Sequence, residues 1–172
     1  RYRILSHTPV LLTPIMKNPL LEIKNLSVDF KTDRQTFSAV KNISFTINTG
    51  ETVAIVGESG SGKTVTSLSI LQLLPSPPAT YKNGEILFSE DGEKTLELLL
   101  QPERSLQKIR GNKISMIFQE PMTSLNPVQT CGKQVMEAIV LHKKVTKKQA
   151  REKTAQLFSQ VKLPDVSGML NR

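Results

Sequence analysis

The stretch "TVAIVGESGSGKT", residues 52–64, decides the fold of this chain. Its first five residues are apolar or β-branched, which is typical of a strand buried on both faces. The eight residues from Gly57 to Thr64 include three glycines and almost no side chain that could pack. Glycine adopts backbone dihedrals that other residues avoid, at a cost in folding entropy. The sequence therefore predicts a buried strand followed by a turn whose lining is backbone.

The same stretch matches the pattern G-x-x-x-x-G-K-[ST] in full, through Gly57, Gly62, Lys63 and Thr64. Glycines let several backbone N–H groups approach phosphate oxygens together, and the start of a following helix adds its positive dipole end. Lys63 is predicted to contact the β- and γ-phosphates, and the Thr64 hydroxyl to bind Mg²⁺. A turn that only packs a helix closely is the alternative, and the expected strand and helix on either side argue against it.

Composition limits the remaining possibilities. The 172 residues are 38% hydrophobic and 22% charged, as in ordinary globular proteins. No apolar run approaches the roughly 20 residues that span a bilayer. A single cysteine, Cys131, excludes an intramolecular disulfide. The net charge is +8, and residues 103–153 hold eleven Lys or Arg against four Asp or Glu, which is interpreted first as a solvated helix face.

The first half of the chain is predicted to be antiparallel β-structure. Apolar and polar residues alternate in "LLEIKNLSVDF" (residues 20–30) and in "FSAVKNISFTI" (residues 37–47), as in half-buried strands. After the glycines, "KTVTSLSILQLL" (residues 63–74) has helical spacing through Val65, Leu68 and Leu71. The prolines from Pro75 onward are expected to end that helix.

The second half is predicted to be mostly helical. A strand, a turn and then a second strand or short helix are expected in residues 84–99, a short helix in residues 101–111 and a buried strand in "KISMIF", residues 113–118. Two helices are expected between residues 128 and 163, with a break near "KKVTKK". The overall prediction is an α/β protein.

Two quoted segments resemble one family. "GETVAIVGESGSGKTVTSLSILQLLP" followed by "IRGNKISMIFQEPMTSLNP" is similar to ATP-binding subunits of ABC transporters, especially those of bacterial dipeptide and oligopeptide importers. The resemblance covers about residues 20–172. It implies the P-loop NTPase fold of ABC ATPase type, here incomplete: an N-terminal antiparallel β subdomain, a Walker A strand–loop–helix and the start of a helical subdomain.

The resemblance also implies roles for individual residues. ATP and Mg²⁺ would be the cofactors, with Lys63 and Gln119 as the catalytic residues and Thr64 and Gln119 as metal ligands. Phe30 would stack on adenine, and Phe37 is a weaker candidate for that role. The full nucleotide-binding set is Phe30, Gly57, Glu58, Ser59, Gly60, Ser61, Gly62, Lys63, Thr64 and Val65.

The implied organisation has three parts. Residues 1–15 are expected to be an unstructured extension upstream of Met16, residues 16–127 the ABC ATPase core, and residues 128–172 the truncated start of the helical subdomain. The 172 residues contain no LSGGQ-type signature and no Asp-Glu pair ending a strand. We therefore expect this stretch of chain to bind Mg-ATP without hydrolysing it, although the family as a whole comprises ATPases.

The implied partners place the protein at a membrane. Residues 120–127 and the helical subdomain would contact a transmembrane permease, and a second ATPase subunit or domain would pair head to tail with this one. A substrate-binding protein would act indirectly. The location would be the cytoplasmic face of the inner membrane, peripherally bound. The alternative is a soluble ABC-type ATPase acting on nucleic acid in translation or repair, which the basic charge favours and residues 120–127 disfavour.

Overall fold

A computed structural model describes residues 18–119 and 125–171. The expected upstream extension, residues 1–15, lies outside the described residues. The chain divides into two compact units at Leu100 and Gln101. The first unit contains the glycine-rich loop, and the second contains Gln119.

The first unit is built on a four-stranded antiparallel sheet. The strands are β1 (Pro19–Lys31), β2 (Thr36–Asn48), β3 (Ala79–Phe88) and β4 (Leu96–Glu97), in the order β2-β1-β3-β4. Side chains on one face of the two central strands form the core, where Ile23, Val28 and Ile86 are at most 1% exposed. The strands predicted from alternating residues are therefore confirmed, because one face of this sheet is buried and the other is not.

The helix after the loop, α1 (Lys63–Ile70), is shorter than the predicted span to residue 74. Its buried residues are Thr66 and Ser69. Of the predicted apolar face, Leu71 at the C-cap is buried, whereas Val65 and Leu68 are only half-buried, so that face was predicted correctly only in part. The hydroxyls of Thr66 and Ser69 donate to the carbonyls four residues earlier, at 2.9 and 2.7 Å. Because those bonds satisfy the hydroxyl donors, the two polar side chains can be buried at low cost.

The second unit is helical. After a short 3₁₀ helix (Leu98–Leu100) closes the first unit, the helices are α2 (Glu103–Ile109), α3 (Cys131–His142), α4 (Lys147–Gln160) and α5 (Val166–Met169). Threonines cap the N-termini of α3 and α4: the Thr130 hydroxyl accepts from the Lys133 N–H, and Thr146 forms a capping box with Gln149. The predicted pair of helices with a break between them is confirmed.

Two predicted buried strands are absent from the described structure. Residues 52–56 and 113–118 are in no strand, and each segment exposes large apolar side chains: Val56 is 89% exposed and Ile117 is 93% exposed. A strand requires a neighbour to complete its hydrogen-bond ladder, and a parallel strand also requires cover on both faces. Neither segment is a strand of the described sheet, and Ile114 makes only an isolated bridge to Arg110.

Among residues 18–119 and 125–171, none of the helices combines the length and the apolar composition that a membrane span requires.

Candidate functional site

The glycine-rich loop lies directly against strand β2. Gly62 has a φ of 89°, in the left-handed region that favours glycine, and immediately precedes α1. A Cβ added at Gly62 would lie 2.5 Å from the carbonyl oxygen of Ala39 and 3.2 Å from a methyl group of Val40. Only glycine therefore allows the loop to approach the β2 backbone this closely, and the contact fixes where the helix begins.

Lys63 reaches back across the loop. Its Nζ donates to the carbonyl oxygens of Gly57 and Glu58, both at 2.7 Å, and to the Ser61 hydroxyl at 3.3 Å. The Gly57 contact joins the first and last parts of the fingerprint, six residues apart. An ammonium group held this way places a fixed positive charge at the centre of the turn, where an anion would gain most from it.

The other loop residues lie around this charge. Gly57, Glu58, Ser59, Gly60 and Ser61 are exposed.

The first turn of α1 continues the site. Thr64 is also exposed, whereas Val65 is half-buried. The start of an α-helix carries N–H groups without intrahelical partners, so an anion placed here would meet backbone donors, the helix dipole and Lys63 together. An exposed hydroxyl at Thr64 has the oxygen chemistry that Mg²⁺ prefers.

An aromatic pair lies on the same sheet as the loop contact. Phe30 of β1 faces Phe37 of β2 in register, and their rings stack with centroids 5.5 Å apart and planes 11° apart. Phe37 is 49% exposed, whereas Phe30 is half-buried. Phe37 is two residues from Ala39, about 7 Å along the strand from the point that meets the loop. The two candidates for adenine stacking therefore form one structure, a relation that the sequence alone did not reveal.

Gln119 lies in the second unit, where it is exposed and follows the non-strand segment 113–118. The predicted location at the end of a strand is therefore wrong, and its role as a metal ligand and catalytic residue stays a prediction. Most of the predicted permease loop, residues 120–124, lies outside the described residues.

The described end of the loop at residues 120–127 is held to α3 by Gln134, a residue that was not among the predicted site residues. The Gln134 side chain accepts from the Asn126 N–H at 2.9 Å and donates to the Asn126 carbonyl at 3.0 Å. Leu125, next to this attachment, is 47% exposed. A glutamine one turn into a helix, after a proline-containing loop, carried no signal that distinguished it from a solvated residue.

In the part of the chain that the structure describes, no group of three His, Cys, Asp or Glu residues could hold a metal ion.

Known proteins share both the sequence and the fold. The family model described as "ABC transporter" matches residues 40–170. A peptidoglycan transport ATP-binding protein, YejF of Agrobacterium fabrum, is 52% identical over 143 residues, which is 83% of this chain and 25% of that protein. The oligopeptide transport ATP-binding protein OppD of Bacillus subtilis is 46% identical over 145 residues, covering 84% of this chain and 39% of that protein.

A third relative extends the match to almost the whole chain. The glutathione import ATP-binding protein GsiA of Pectobacterium atrosepticum is 40% identical over 167 residues, which is 97% of this chain and 26% of that protein. The chain thus spans between a quarter and two-fifths of these relatives' lengths.

A solved structure supports the fold. The dimeric ATP-binding cassette MJ0796, described as bound to ADP and Pi, superposes with a TM-score of 0.69 at 24% identity, over 84% of this chain and 58% of that one. The family match covers the loop, the helix after it and the helical unit. The chain belongs to the ABC transporter family, among its ATP-binding proteins.

Proposed function

We propose that this chain provides the Mg-ATP-binding part of an ABC importer for peptides. The observation that supports it most directly is the Lys63 ammonium, which two backbone carbonyls hold at the centre of a glycine-rich turn. Relatives named for oligopeptide, peptidoglycan and glutathione transport support the peptide-like substrate class.

Backbone and side-chain groups of the loop would bind different parts of the phosphate charge. Backbone N–H groups of the turn and of the first turn of α1 would donate to the phosphates, and Lys63 would add its charge. The Ser61 contact of Lys63, at 3.3 Å, is the longest of its three. We expect a phosphate oxygen to replace the Ser61 hydroxyl there, because the two carbonyl contacts at 2.7 Å are stronger.

Magnesium would add positive charge beside the phosphates, and Thr64 and Gln119 are its proposed protein ligands. The Phe30–Phe37 pair would bind the adenine ring, with the half-exposed Phe37 ring offering more surface.

Hydrolysis and transport are proposed for the whole protein rather than for these residues alone. The resemblance assigns the signature and the water-activating carboxylate to motifs that the 172 residues do not contain. A second cassette would complete each nucleotide site, a permease would contact residues 120–127 and the helical unit, and a substrate-binding protein would deliver the peptide. The proposed location is the cytoplasmic face of the inner membrane.

Binding is tested by titrating Mg-ATP into the purified chain by calorimetry, with Lys63→Ala and the matched control Lys41→Ala. Lys41 is an exposed lysine on β2, in the same unit as the loop. Losing a charge-assisted contact of about 1.5–3 kcal/mol should weaken binding by roughly tenfold to a hundredfold in Lys63→Ala only. Equal affinities in the two variants would contradict the proposed phosphate site.

Transport is tested separately, by measuring uptake of labelled peptides in cells whose full-length gene carries Lys63→Ala. Loss of uptake with normal protein levels is expected. Unchanged uptake would count against the importer function while leaving the binding result intact.

A further inference from the structure

The connection between α3 and α4 concentrates positive charge. Four lysines lie exposed within six residues of chain, and none of them takes part in the ion pairs found among the described residues. These four lysines, together with the neighbouring apolar residues 140, 141 and 145, are called the α3–α4 corner; the lysines are Lys143, Lys144, Lys147 and Lys148. Glu152 is the nearest acidic residue that follows them in the sequence. Glu137 is the nearest acidic residue that precedes them. Because no ion pair among the described residues involves the four lysines, the corner is a basic surface.

Two of these lysines lie at a helix end where a positive charge reduces the stability of the helix. Lys147 and Lys148 occupy the first turn of α4, the positive end of its dipole, and that turn contains no acidic residue. The capping box between Thr146 and Gln149 holds the start of the helix at this point. Cations at this end reduce helix stability, so helix formation does not account for their position.

Apolar side chains accompany the charge. Leu141 is 75% exposed and Val140 is 43% exposed, at the end of α3. Together with Val145 they line an open depression of about 550 Å³ whose other walls include Lys143 and Lys144. Exposed leucine and valine beside lysines form the amphipathic pattern of surfaces that lie on a bilayer, where the apolar groups enter the headgroup region.

We propose that the α3–α4 corner binds an anionic lipid surface. Charge complementarity identifies the partner: clustered lysines are attracted to anionic headgroups, and exposed Leu141 adds an apolar anchor. Nucleic acid fits less well, because residues 140–149 contain no Phe, Tyr or Trp on which a base could stack. This contact is separate from the ATP site and goes beyond the proposed function.

The test is flotation of the purified 172-residue chain with vesicles of phosphatidylglycerol and phosphatidylcholine, and with vesicles of phosphatidylcholine alone. One variant changes the four lysines of the corner to glutamine. A control variant changes four exposed lysines elsewhere, so that both variants have the same net charge; these are Lys31, Lys41, Lys94 and Lys108. A third variant, Leu141→Gln, removes the apolar anchor and leaves the charge unchanged.

Each lysine near an anionic surface raises partitioning by about fivefold, so the corner variant should bind anionic vesicles at least tenfold more weakly than the control variant. Leu141→Gln should also weaken binding, and added salt should weaken it in the unmodified chain. Circular dichroism verifies that each variant keeps its helices.

Three results would overturn the proposal. The first is equal partitioning of the corner and control variants. The second is equally strong binding to vesicles of phosphatidylcholine alone. The third is tighter binding of the unmodified chain to single-stranded RNA than to anionic vesicles, through the same lysines and without any effect of Leu141→Gln, which would identify nucleic acid as the partner.

Discussion

Substituting Gly62 by alanine tests whether the close approach of the loop to β2 builds the site. Any L-residue at a φ of 89° is strained by roughly 1–2 kcal/mol. The added Cβ would also lie 2.5 Å from the Ala39 carbonyl oxygen, a backbone atom that no rotamer change can move away. Restoring an ordinary contact requires a backbone shift of about 1 Å. Overpacking of this kind typically costs about 1–3 kcal/mol more.

Gly60→Ala is the matched control. Gly60 has a φ of 80°, and no atom lies within 4 Å of an added Cβ. This variant therefore carries the dihedral strain without the clash. Gly50→Ala, at a φ of 74° with the same open surroundings, repeats the control outside the loop.

Urea unfolding followed by circular dichroism measures the three free energies of unfolding, and calorimetry measures Mg-ATP affinity. We expect a loss of about 2–5 kcal/mol for Gly62→Ala, from strain and overpacking together, and of about 1–2 kcal/mol for each control, from strain alone. ATP affinity should fall at least tenfold in Gly62→Ala, because the loop and α1 move together. If Gly62→Ala and Gly60→Ala destabilise the chain equally, the contact with β2 does not hold the loop, and the reasoning is refuted.

Three further predictions concern other parts of the chain. Thr146→Ala should destabilise the second unit by about 1 kcal/mol, read from thermal unfolding, because it removes the hydroxyl that accepts from the Gln149 N–H in the α4 capping box; no change would show that the cap is dispensable. Phe37→Leu should weaken ATP binding several-fold and leave inorganic triphosphate binding unchanged, since stacking acts on the base; a parallel loss for both ligands would contradict a base contact. The backbone N–H groups of Lys94 and Glu93 hold the pKa of Asp91 below its ordinary value of 3.8. Because the folded pKa is lowered, the ionised Asp91 carboxylate contributes to stability at pH values above 3.8. That contribution is lost as the pH falls from 3.8 through the folded pKa. Acid titration of Asp91→Asn should therefore show a weaker loss of stability than the unmodified chain in that range, and identical titrations would contradict this.

Features that depend on residues close together in the sequence were predicted better than features that depend on distant residues. Strands β1 and β2 were predictable because alternation and the two-faced sheet are local properties. The loop fingerprint and helical spacing are also local, so the helix after the loop and the pair α3 and α4, with a break near "KKVTKK", were predicted from the sequence. The pairing of Phe30 with Phe37 depends on the register between two strands, which the sequence pattern did not specify.

Residues 52–56 and 113–118 were predicted as strands and are not strands in the structure. Their composition is that of buried strands, yet a strand exists only where a second strand completes its ladder. Local pattern contains no information about that neighbour. The burial of Thr66 and Ser69 on α1 was missed for a related reason: their hydroxyls donate within the helix, so polarity alone did not predict exposure.

The attachment of Lys63 to the carbonyls of Gly57 and Glu58 has a consequence for the thermodynamics of ligand capture. A long lysine side chain normally loses rotamer freedom when it meets a ligand, with an entropy penalty of roughly 1.5–2 kcal/mol. Here folding has already restricted that freedom, so association should retain more of its favourable electrostatic energy. The loop would thus recognise phosphate as a preorganised template, with nucleotide affinity that depends little on rearrangement after encounter.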